Sequence, residues 1–313
     1  MKVALLGAWH VHAADYTRKA LEMGEMVGFY ERDDALAEAF GKAFGIPRFE
    51  TREALLGSCA EGVIVCSATR DHAEDILAVA RAKKQIFTEK VLALTDEDCD
   101  KIEAALEENG VSLTISLFQK YLGSRMAVKE IADSGELGKI NYLRFRNCHS
   151  GSTRDWLPPH FYNREQCGGG AMIDLGAHGM YLIDWLLGEP QSYQSAFTHA
   201  CRDEKDAILN PDGIEDNAVT VMTYEDGTIA INETGFVSDG APVLFEIGGE
   251  EGYLLFDGEK AYLSTLAEGK VELELPAPVA LPIERFIKGE DVPGCGMAEA
   301  IALTRMMEGA YAD

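Results

Sequence analysis

The chain begins with Lys2-Val3-Ala4-Leu5-Leu6-Gly7-Ala8-Trp9-His10-Val11-His12, an apolar run that leads directly into a glycine turn. Such a run is typical of the first strand of a parallel sheet, because the turn at its carboxyl end leads into a crossover helix. Further short apolar runs alternate with amphipathic stretches, and we predict strands over 26–30, 62–66, 85–88 and 111–116. Thr95-Asp96-Glu97-Asp98 is a helix start signal, and Ala104-Ala105-Leu106 with Asn109-Gly110 is a stop signal. Residues 1–120 therefore predict an α/β domain with a doubly wound parallel sheet.

The pattern changes in the second half of the chain. Strand-like segments cover 140–148, 218–224, 228–233 and 243–247, and Tyr224-Glu225-Asp226-Gly227 carries the Asp-Gly signal of a hairpin. Consecutive strands joined by tight turns predict an antiparallel sheet, which we assign to a second domain over residues 121–313. An amphipathic helix is expected over residues 297–311, where it covers either this domain or the first one.

Composition excludes several functional classes. With 28 basic and 53 acidic residues the formal charge is −25, which repels nucleic acids and anionic membranes. The first apolar run is too short for a signal peptide and is preceded by only one basic residue. No later apolar stretch approaches the length of a membrane span. The seven cysteines never occur in CxxC spacing, which argues against a disulfide framework or a zinc knot. We expect a cytoplasmic protein with reduced thiols.

The first turn lies where a dinucleotide-binding protein has its glycine-rich loop. Only Gly7 is retained, since Trp9 and His12 occupy the positions of the second and third glycines. Glu31 ends the second strand, 24 residues after Gly7, where a carboxylate accepts the ribose hydroxyls and repels a 2′-phosphate. This favours NAD, whereas the adjacent Arg32 keeps NADP as an alternative.

Three interpretations of this turn remain open. Its side chains fill the turn and cap the helix, or the helix N-terminus still holds a pyrophosphate with Trp9 against the cofactor. In the third, His10 and His12 join another histidine (His72, His149, His160 or His178) at a metal ion. The spacings match no zinc signature, so no metal ligand is assigned from the sequence, although this interpretation stays open.

A second candidate site follows a glycine triplet in the stretch Gly168-Gly169-Gly170-Ala171-Met172-Ile173-Asp174-Leu175-Gly176-Ala177-His178. We interpret the triplet as a hinge. If the stretch from Ala171 is helical, Asp174 and His178 lie one turn apart on the same face, where they can act on one substrate atom. The sequence therefore predicts an acid/base pair.

Two further segments make a resemblance specific. The first runs from Val63 through Cys66-Ser67-Ala68-Thr69-Arg70-Asp71-His72, and the second is Thr88-Glu89-Lys90-Val91. Together with the later Gly-Gly-Gly and Asp-x-x-x-His, they resemble the Gfo/Idh/MocA oxidoreductases over the chain from the first strand to His178. The resemblance implies an N-terminal Rossmann domain and a C-terminal α/β domain with an open, mainly antiparallel sheet. It also implies homodimers or homotetramers assembled through that sheet.

The resemblance also assigns roles. Glu89-Lys90-Val91 stands where the family has Glu-Lys-Pro, so Lys90 is expected to bind the reacting hydroxyl, while Asp174 and His178 hold the substrate and His178 acts as base. The expected cofactor contacts are Gly7, Trp9, His10, Val11, Glu31, Arg32, Ser67, Thr69, His72, Glu89 and Lys90. The expected substrate contacts are Lys120, Tyr121, Arg154, Trp156, His160 and Tyr162. Their aromatic and hydrogen-bonding side chains suit a polyol.

The sequence thus predicts an enzyme that transfers hydride between NAD(P) and a hydroxyl or keto carbon of a sugar, cyclitol or related polyol. Two alternatives remain. A sugar-sensing or scaffold protein of the same fold would lack dinucleotide binding, as the altered glycine turn suggests. A lyase or epimerase would use a tightly bound NAD transiently, without net redox change.

Overall fold

The computed structural model describes residues 1–201 and 213–312, and the chain divides into two compact units. Unit 1 comprises Met1–Leu117 and Ala280–Thr304, and unit 2 comprises Phe118–Val279 and the chain from Arg305. The sequence places the boundary at residue 120 and assigns residues 280–304 to the second domain. The return of this segment to unit 1 is a long-range feature, so no local pattern announces it.

Unit 1 contains a five-stranded parallel sheet, which confirms the predicted fold class of this part. Its strands are β1 (Val3–Leu6), β2 (Met26–Tyr30), β3 (Gly62–Val65), β4 (Gln85–Thr88) and β5 (Leu113–Ile115). The strand order is β2-β1-β3-β4-β5, and each neighbouring pair is parallel. All turns that follow these strands therefore lie at one carboxyl edge, where ligands bind in sheets of this kind.

The helices of unit 1 are α1 (Ala13–Glu22), α2 (Asp34–Phe44), α3 (Arg52–Leu56), α4 (His72–Arg81), α5 (Asp96–Asn109) and α9 (Pro282–Lys288). The signals predicted for α5 are confirmed. Thr95 Oγ1 accepts the Asp98 N–H at 3.2 Å, and Gly110 ends the helix in the left-handed conformation.

The core of unit 1 includes side chains from both of its segments. Phe87 of β4 packs against Phe286 of α9 with ring centroids 5.5 Å apart, and Ile283 and Ile287 join the same buried cluster. Complete burial of such a side chain contributes about 1.5–3 kcal/mol, so the returning segment is a substantial part of this core.

Unit 2 contains an eight-stranded, mainly antiparallel sheet, again as predicted. Its strands are β6 (Ile140–Cys148), β7 (Ser192–Thr198), β8 (Asn217–Thr223), β9 (Ile229–Gly235), β10 (Leu244–Gly249), β11 (Gly252–Phe256), β12 (Ala261–Thr265) and β13 (Gly269–Leu273). The order is β13-β12-β11-β10-β6-β9-β8-β7, and among these described strands only β6 and β9 pair in parallel. The predicted hairpin at Tyr224-Glu225-Asp226-Gly227 joins β8 to β9, which pair antiparallel.

Within the described part of unit 2 the chain forms α6 (Gly123–Ser134), α7 (Arg164–Cys167) and α8 (Ala177–Leu187), with 3₁₀ turns at Phe118–Tyr121 and Pro159–Tyr162. A π-helical turn, Met172–Gly176, leads directly into α8. A last helix, α10 (Met297–Tyr311), carries the chain from unit 1 into unit 2, over the residues predicted. Across the residues that the structure describes, no helix has both the length and the apolar composition needed to cross a bilayer.

One face of the large sheet packs closely against α8. Alternate residues of β9, namely Ala230, Asn232 and Thr234, are buried. The Asn232 side-chain amide donates to the carbonyl of Gly176 at 2.8 Å, and a Cβ on Gly179 would lie only 2.0 Å from Asn232 Oδ1. The π-helical turn is thus held in place by a buried side chain of the sheet.

Candidate active site

The first turn of unit 1 requires a glycine at its start. Gly7 has a φ of +84°, and a Cβ there would lie 2.5 Å from the backbone nitrogen of Ser67. The His10 N–H donates to the carbonyl of Cys66 at 3.1 Å. The turn therefore lies directly against the end of β3, so the retained glycine has a steric cause.

A buried hydroxyl lies beside this turn. Ser67 Oγ has no hydrogen-bond partner within residues 1–201 and 213–312. Buried polar atoms are nearly always paired, so an orphaned hydroxyl at the carboxyl edge of a parallel sheet fits a ligand that hydrogen-bonds to it. The crowding at Gly7 and this hydroxyl together fit a dinucleotide at the turn.

Glu31 is fixed by two backbone groups. Its Oε2 accepts the Ala8 N–H at 2.6 Å and its Oε1 accepts the Asp33 N–H at 2.9 Å. A carboxylate has about four acceptor positions, so both oxygens keep capacity for ribose hydroxyls. Arg32 turns toward other acids, with Nη1 3.0 Å from Asp71 and Nη2 3.7 Å from Asp75.

Two histidines of the turn face a buried carboxylate that follows β4. Glu89 is 1% exposed, and its Oε1 lies 3.0 Å from His12 Nδ1 and 3.9 Å from His10 Nδ1. The same oxygen accepts a hydrogen bond from the Tyr16 hydroxyl, and Oε2 accepts the Lys90 N–H at 3.1 Å. Burial opposes ionisation, but the charges of His10, His12 and Lys90 and the His12 hydrogen bond hold the pKa of Glu89 well below its usual range.

This cluster argues against one of the three interpretations of the turn, namely that its side chains cap the helix. His12 stands at the N-cap of α1, yet its side chain makes no capping hydrogen bond there. Its imidazole instead contacts Glu89. The sequence predicts Glu89 as a cofactor contact but does not predict its contact with the histidines.

Lys90 and His72 lie at the same edge of the sheet, where Lys90 follows β4 and His72 begins the helix after β3. The Lys90 side chain is 5% exposed, and the Lys90–Val91 peptide bond is cis although valine stands where the family has proline. His72 places Nδ1 2.8 Å from the Val91 carbonyl and Nε2 3.1 Å from the Ser67 carbonyl. These two contacts link the segments that follow β3 and β4 through the imidazole of His72. Burial of this ring lowers the pKa of His72. Thr69 begins the 3₁₀ turn between Ser67 and His72.

In unit 2 the glycine triplet serves close packing, where the sequence suggested a hinge. A Cβ on Gly169 would lie 2.2 Å from the Tyr311 hydroxyl, and one on Gly170 would lie 2.0 Å from the Glu215 carbonyl oxygen. Glu215 is buried and accepts the N–H groups of Gly170 at 2.8 Å and Met172 at 3.2 Å. The start of the π-helical turn is thus held by residues far along the chain.

His178 lies buried in the first turn of α8. Its Nδ1 is 2.9 Å from the Tyr181 hydroxyl, which also accepts the Gln119 N–H at 3.2 Å. The ring packs edge-on against Phe118, with centroids 5.3 Å apart. Tyr181 is a site residue that sequence reasoning missed, although its position three residues after His178 on a predicted helix is a usable signal.

Asp174 lies in the π-helical turn, and its charge affects a second histidine, His149. Burial lowers the pKa of His149, and the charge of Asp174 partly offsets this. The His149 ring stacks on the Phe236 ring with centroids 4.9 Å apart, and its centroid lies 4.5 Å from that of the Trp156 ring. Trp156 is 54% exposed, so these three rings form a partly open aromatic surface next to a carboxylate.

The remaining predicted substrate contacts divide into two groups. Lys120 is buried, with Nζ 5.9 Å from the Tyr181 ring centroid, so the structure brings it beside the residue that holds His178. Its neighbour Tyr121 is buried too. The others surround the segment of Trp156: Arg154 forms an ion pair with Asp239, the Tyr162 hydroxyl lies 2.8 Å from Ser152 Oγ, and His160 lies in the 3₁₀ turn Pro159–Tyr162.

Comparison with known proteins agrees with this architecture. A family model described as "Oxidoreductase family, NAD-binding Rossmann fold" matches residues 1–117, and one described as "GFO/IDH/MocA C-terminal domain" matches residues 126–255. A 1,5-anhydro-D-fructose reductase of Ensifer adhaerens is 27% identical over 238 residues, covering 74% of this chain and 68% of the reductase. A myo-inositol 2-dehydrogenase of Thermotoga maritima is 28% identical over 171 residues, which is 55% of this chain and 48% of that enzyme.

A solved structure shares the whole fold. A levoglucosan dehydrogenase in complex with NADH and levoglucosan superimposes with a TM-score of 0.81, covering 99% of this chain and 95% of the other at 17% identity. At this identity the likeness concerns the fold alone.

Proposed function

The chain belongs to the GFO/IDH/MocA family of oxidoreductases, with an NAD-binding Rossmann fold in its N-terminal part, and on this premise we propose that it oxidises or reduces a sugar, cyclitol or related polyol. The observation that carries the proposal is the carboxyl edge of the parallel sheet. There the Gly7 turn, the Ser67 hydroxyl, Glu31 and Lys90 follow four neighbouring strands. The relatives named as a reductase of 1,5-anhydro-D-fructose and a dehydrogenase of myo-inositol support this substrate class.

The proposed cofactor is NAD. Glu31 offers its remaining acceptor positions to ribose hydroxyls, and its negative charge disfavours the 2′-phosphate of NADP. Arg32, the residue that could reverse this preference, is engaged by Asp71 and Asp75. When bound, the nicotinamide supplies the hydride acceptor or donor.

The residues of the chain supply proton transfer and charge stabilisation. Oxidation of a carbinol removes a hydride from carbon and a proton from oxygen, and we assign the proton to His178 Nε2. This requires the proton of the neutral ring on Nδ1, which then donates to the Tyr181 hydroxyl, while that hydroxyl's second acceptor position takes the Gln119 N–H. Lys90 is assigned to bind the developing alkoxide, since a buried ammonium stabilises such a charge strongly.

The aromatic surface of His149, Trp156 and Phe236 is proposed to hold the substrate ring. Sugar and cyclitol rings present C–H faces that pack on aromatic side chains, and their hydroxyls require nearby acceptors. Asp174, whose charge reaches His149, is assigned as such an acceptor.

The test is cofactor binding followed by a substrate screen. Titration with NAD is expected to raise the melting temperature of the purified protein, with a smaller effect from NADP, and NADH formation is then measured with inositols, anhydrosugars and glucosides. Lys90→Met is expected to lose far more turnover than NAD affinity, whereas the exposed Lys42→Met serves as a control that changes neither. Absence of any NAD binding, with no cofactor released on denaturation, would favour the sugar-sensing alternative.

We also propose that the protein assembles through the large sheet and works in the cytoplasm. On the face opposite α8, Arg144 lies between Glu233 at 2.7 Å and Glu246 at 3.3 Å, beside the half-exposed Val219, Val221 and Ile231. Light scattering is expected to give a dimer or tetramer, and a monomer at micromolar concentration would refute this. Among the described residues no two of the seven cysteines form a disulfide, as a reducing compartment favours.

A further inference from the structure

His10, His12 and Glu89 converge in unit 1 although His12 and Glu89 are 77 positions apart in the sequence. One ligand atom from each lies within 4.8 Å of the other two. Two of these residues replace or adjoin the glycines of a dinucleotide turn, and the third is a carboxylate buried from solvent. We propose that His10, His12 and Glu89 bind a divalent transition-metal ion, for which zinc is the best match.

The distances suit such an ion. Zinc binds imidazole nitrogens and carboxylate oxygens at about 2.0–2.2 Å in tetrahedral geometry, which separates neighbouring ligand atoms by about 3.4 Å. Glu89 Oε1 lies 3.0 Å from His12 Nδ1 and 3.9 Å from His10 Nδ1, on either side of this value. The three ligand atoms lie within 4.8 Å of one another, so side-chain movements of up to about 1.4 Å bring all of them to this separation.

The ligands can reach the protonation state that a metal needs. In its neutral form His10 accepts a hydrogen bond from the His12 N–H at Nδ1, at 3.3 Å, and the same lone pair can bind a metal, whose binding displaces protons from such ligands. Glu89 receives outer hydrogen bonds from the Tyr16 hydroxyl and the Lys90 N–H, and the Tyr16 hydroxyl also lies 2.7 Å from Ser116 Oγ. Such second interactions orient ligands in metal sites.

Three protein ligands leave one coordination position open, as in zinc sites that bind a further molecule. His12 is the most exposed of the three at 28%, so solvent reaches the site from its side. An ion there would add positive charge to a turn that has lost two glycines, in a chain with a net charge of −25. The site itself does not depend on the proposed dehydrogenase activity.

The test is a zinc titration of the full chain, produced without a polyhistidine tag and treated with chelator, in the absence of nucleotide. Calorimetry is expected to show one equivalent of zinc per chain with micromolar or tighter affinity, and zinc is expected to raise the melting temperature. His10→Asn, His12→Asn and Glu89→Gln are each expected to weaken binding at least about tenfold. His199→Asn, which changes a half-buried histidine of unit 2, is the control and retains the affinity.

Circular dichroism establishes that each variant is folded before binding is compared. If the unmodified protein binds none of zinc, cobalt or nickel at about 100 μM, the proposal is overturned, since this limit corresponds to a binding energy of about 5.5 kcal/mol. Equal binding by all three cluster variants and the unmodified protein would overturn it too. Because no nucleotide is present, neither result bears on NAD binding or turnover.

Discussion

Replacing Gly7 by alanine separates the steric demand of the first turn from its backbone conformation. Gly7 has a φ of +84°, and an added Cβ would meet three backbone atoms of Cys66 and Ser67 at 2.5–2.9 Å. Gly24 has a similar φ of +73° with no heavy atom within 4 Å of the added Cβ, so Gly24→Ala is the matched control in the same unit.

The expected magnitudes follow from this difference. A left-handed alanine costs about 1–2 kcal/mol at either position. Only Gly7→Ala must also displace the end of β3, which adds about 1–3 kcal/mol by analogy with overpacked cores. The entropy that each alanine removes from the unfolded chain is the same and cancels in the comparison.

The assay is urea unfolding of both variants followed by circular dichroism. Gly7→Ala is expected to lose about 2–5 kcal/mol of unfolding free energy and Gly24→Ala about 1–2 kcal/mol. Equal losses would show that the turn yields to a Cβ and that the close approach to Ser67 does not explain the retained glycine.

Three further outcomes are expected. Tyr181→Phe removes the hydroxyl that accepts the hydrogen bond of the His178 ring. We expect kcat to fall about tenfold to a hundredfold with NAD affinity unchanged, since a hydrogen bond to a charged group contributes about 1.5–3 kcal/mol. An unaltered pH–rate profile would argue against the assigned tautomer. Glu31→Gln should weaken NAD binding more than NADP binding in calorimetric titrations, and a parallel loss would remove Glu31 from the choice of cofactor. The pKa of Glu89 is lowered in the fold, so its contribution to stability is complete above the ordinary value of 4.5 and disappears as the pH falls toward the folded value. Urea midpoints should therefore fall less steeply with acidification in Glu89→Gln than in the unmodified protein, and identical profiles would refute this account.

Much of the fold was predictable because its signals are local. The β-branched runs of unit 1 and four strand-like segments of unit 2 mark elements within a few residues of their observed bounds, whereas β7, β11, β12 and β13 were not predicted. The Thr95 and Gly110 signals predicted the ends of α5 in the same way. The parallel pairing of β6 with β9 was not predictable, because nothing in either segment specifies a neighbour more than 80 residues away.

The residues of the candidate site also include some with a local signal in the sequence and some that come together only in the fold. Gly7 and Glu31 were predicted because each directly follows a strand of a recognisable pattern, and Lys90 was predicted because Glu89-Lys90 resembles the family motif. The packing of Tyr311 against Gly169 and the contact of Glu89 with two histidines join residues far apart in sequence, so the glycine triplet suggested a hinge and the histidines had no identified partner.

The return of Ala280–Thr304 to unit 1 has a consequence for biosynthesis. A ribosome that has released residues 1–117 must translate about 170 more before Ile283, Phe286 and Ile287 can all enter the core of unit 1. At about 5–20 residues per second this takes roughly 9–34 s. During that interval the nascent parallel sheet leaves the apolar surface that α9 later covers open to chaperones, so the N-terminal unit, although made first, completes its core only after most of unit 2 has been synthesised.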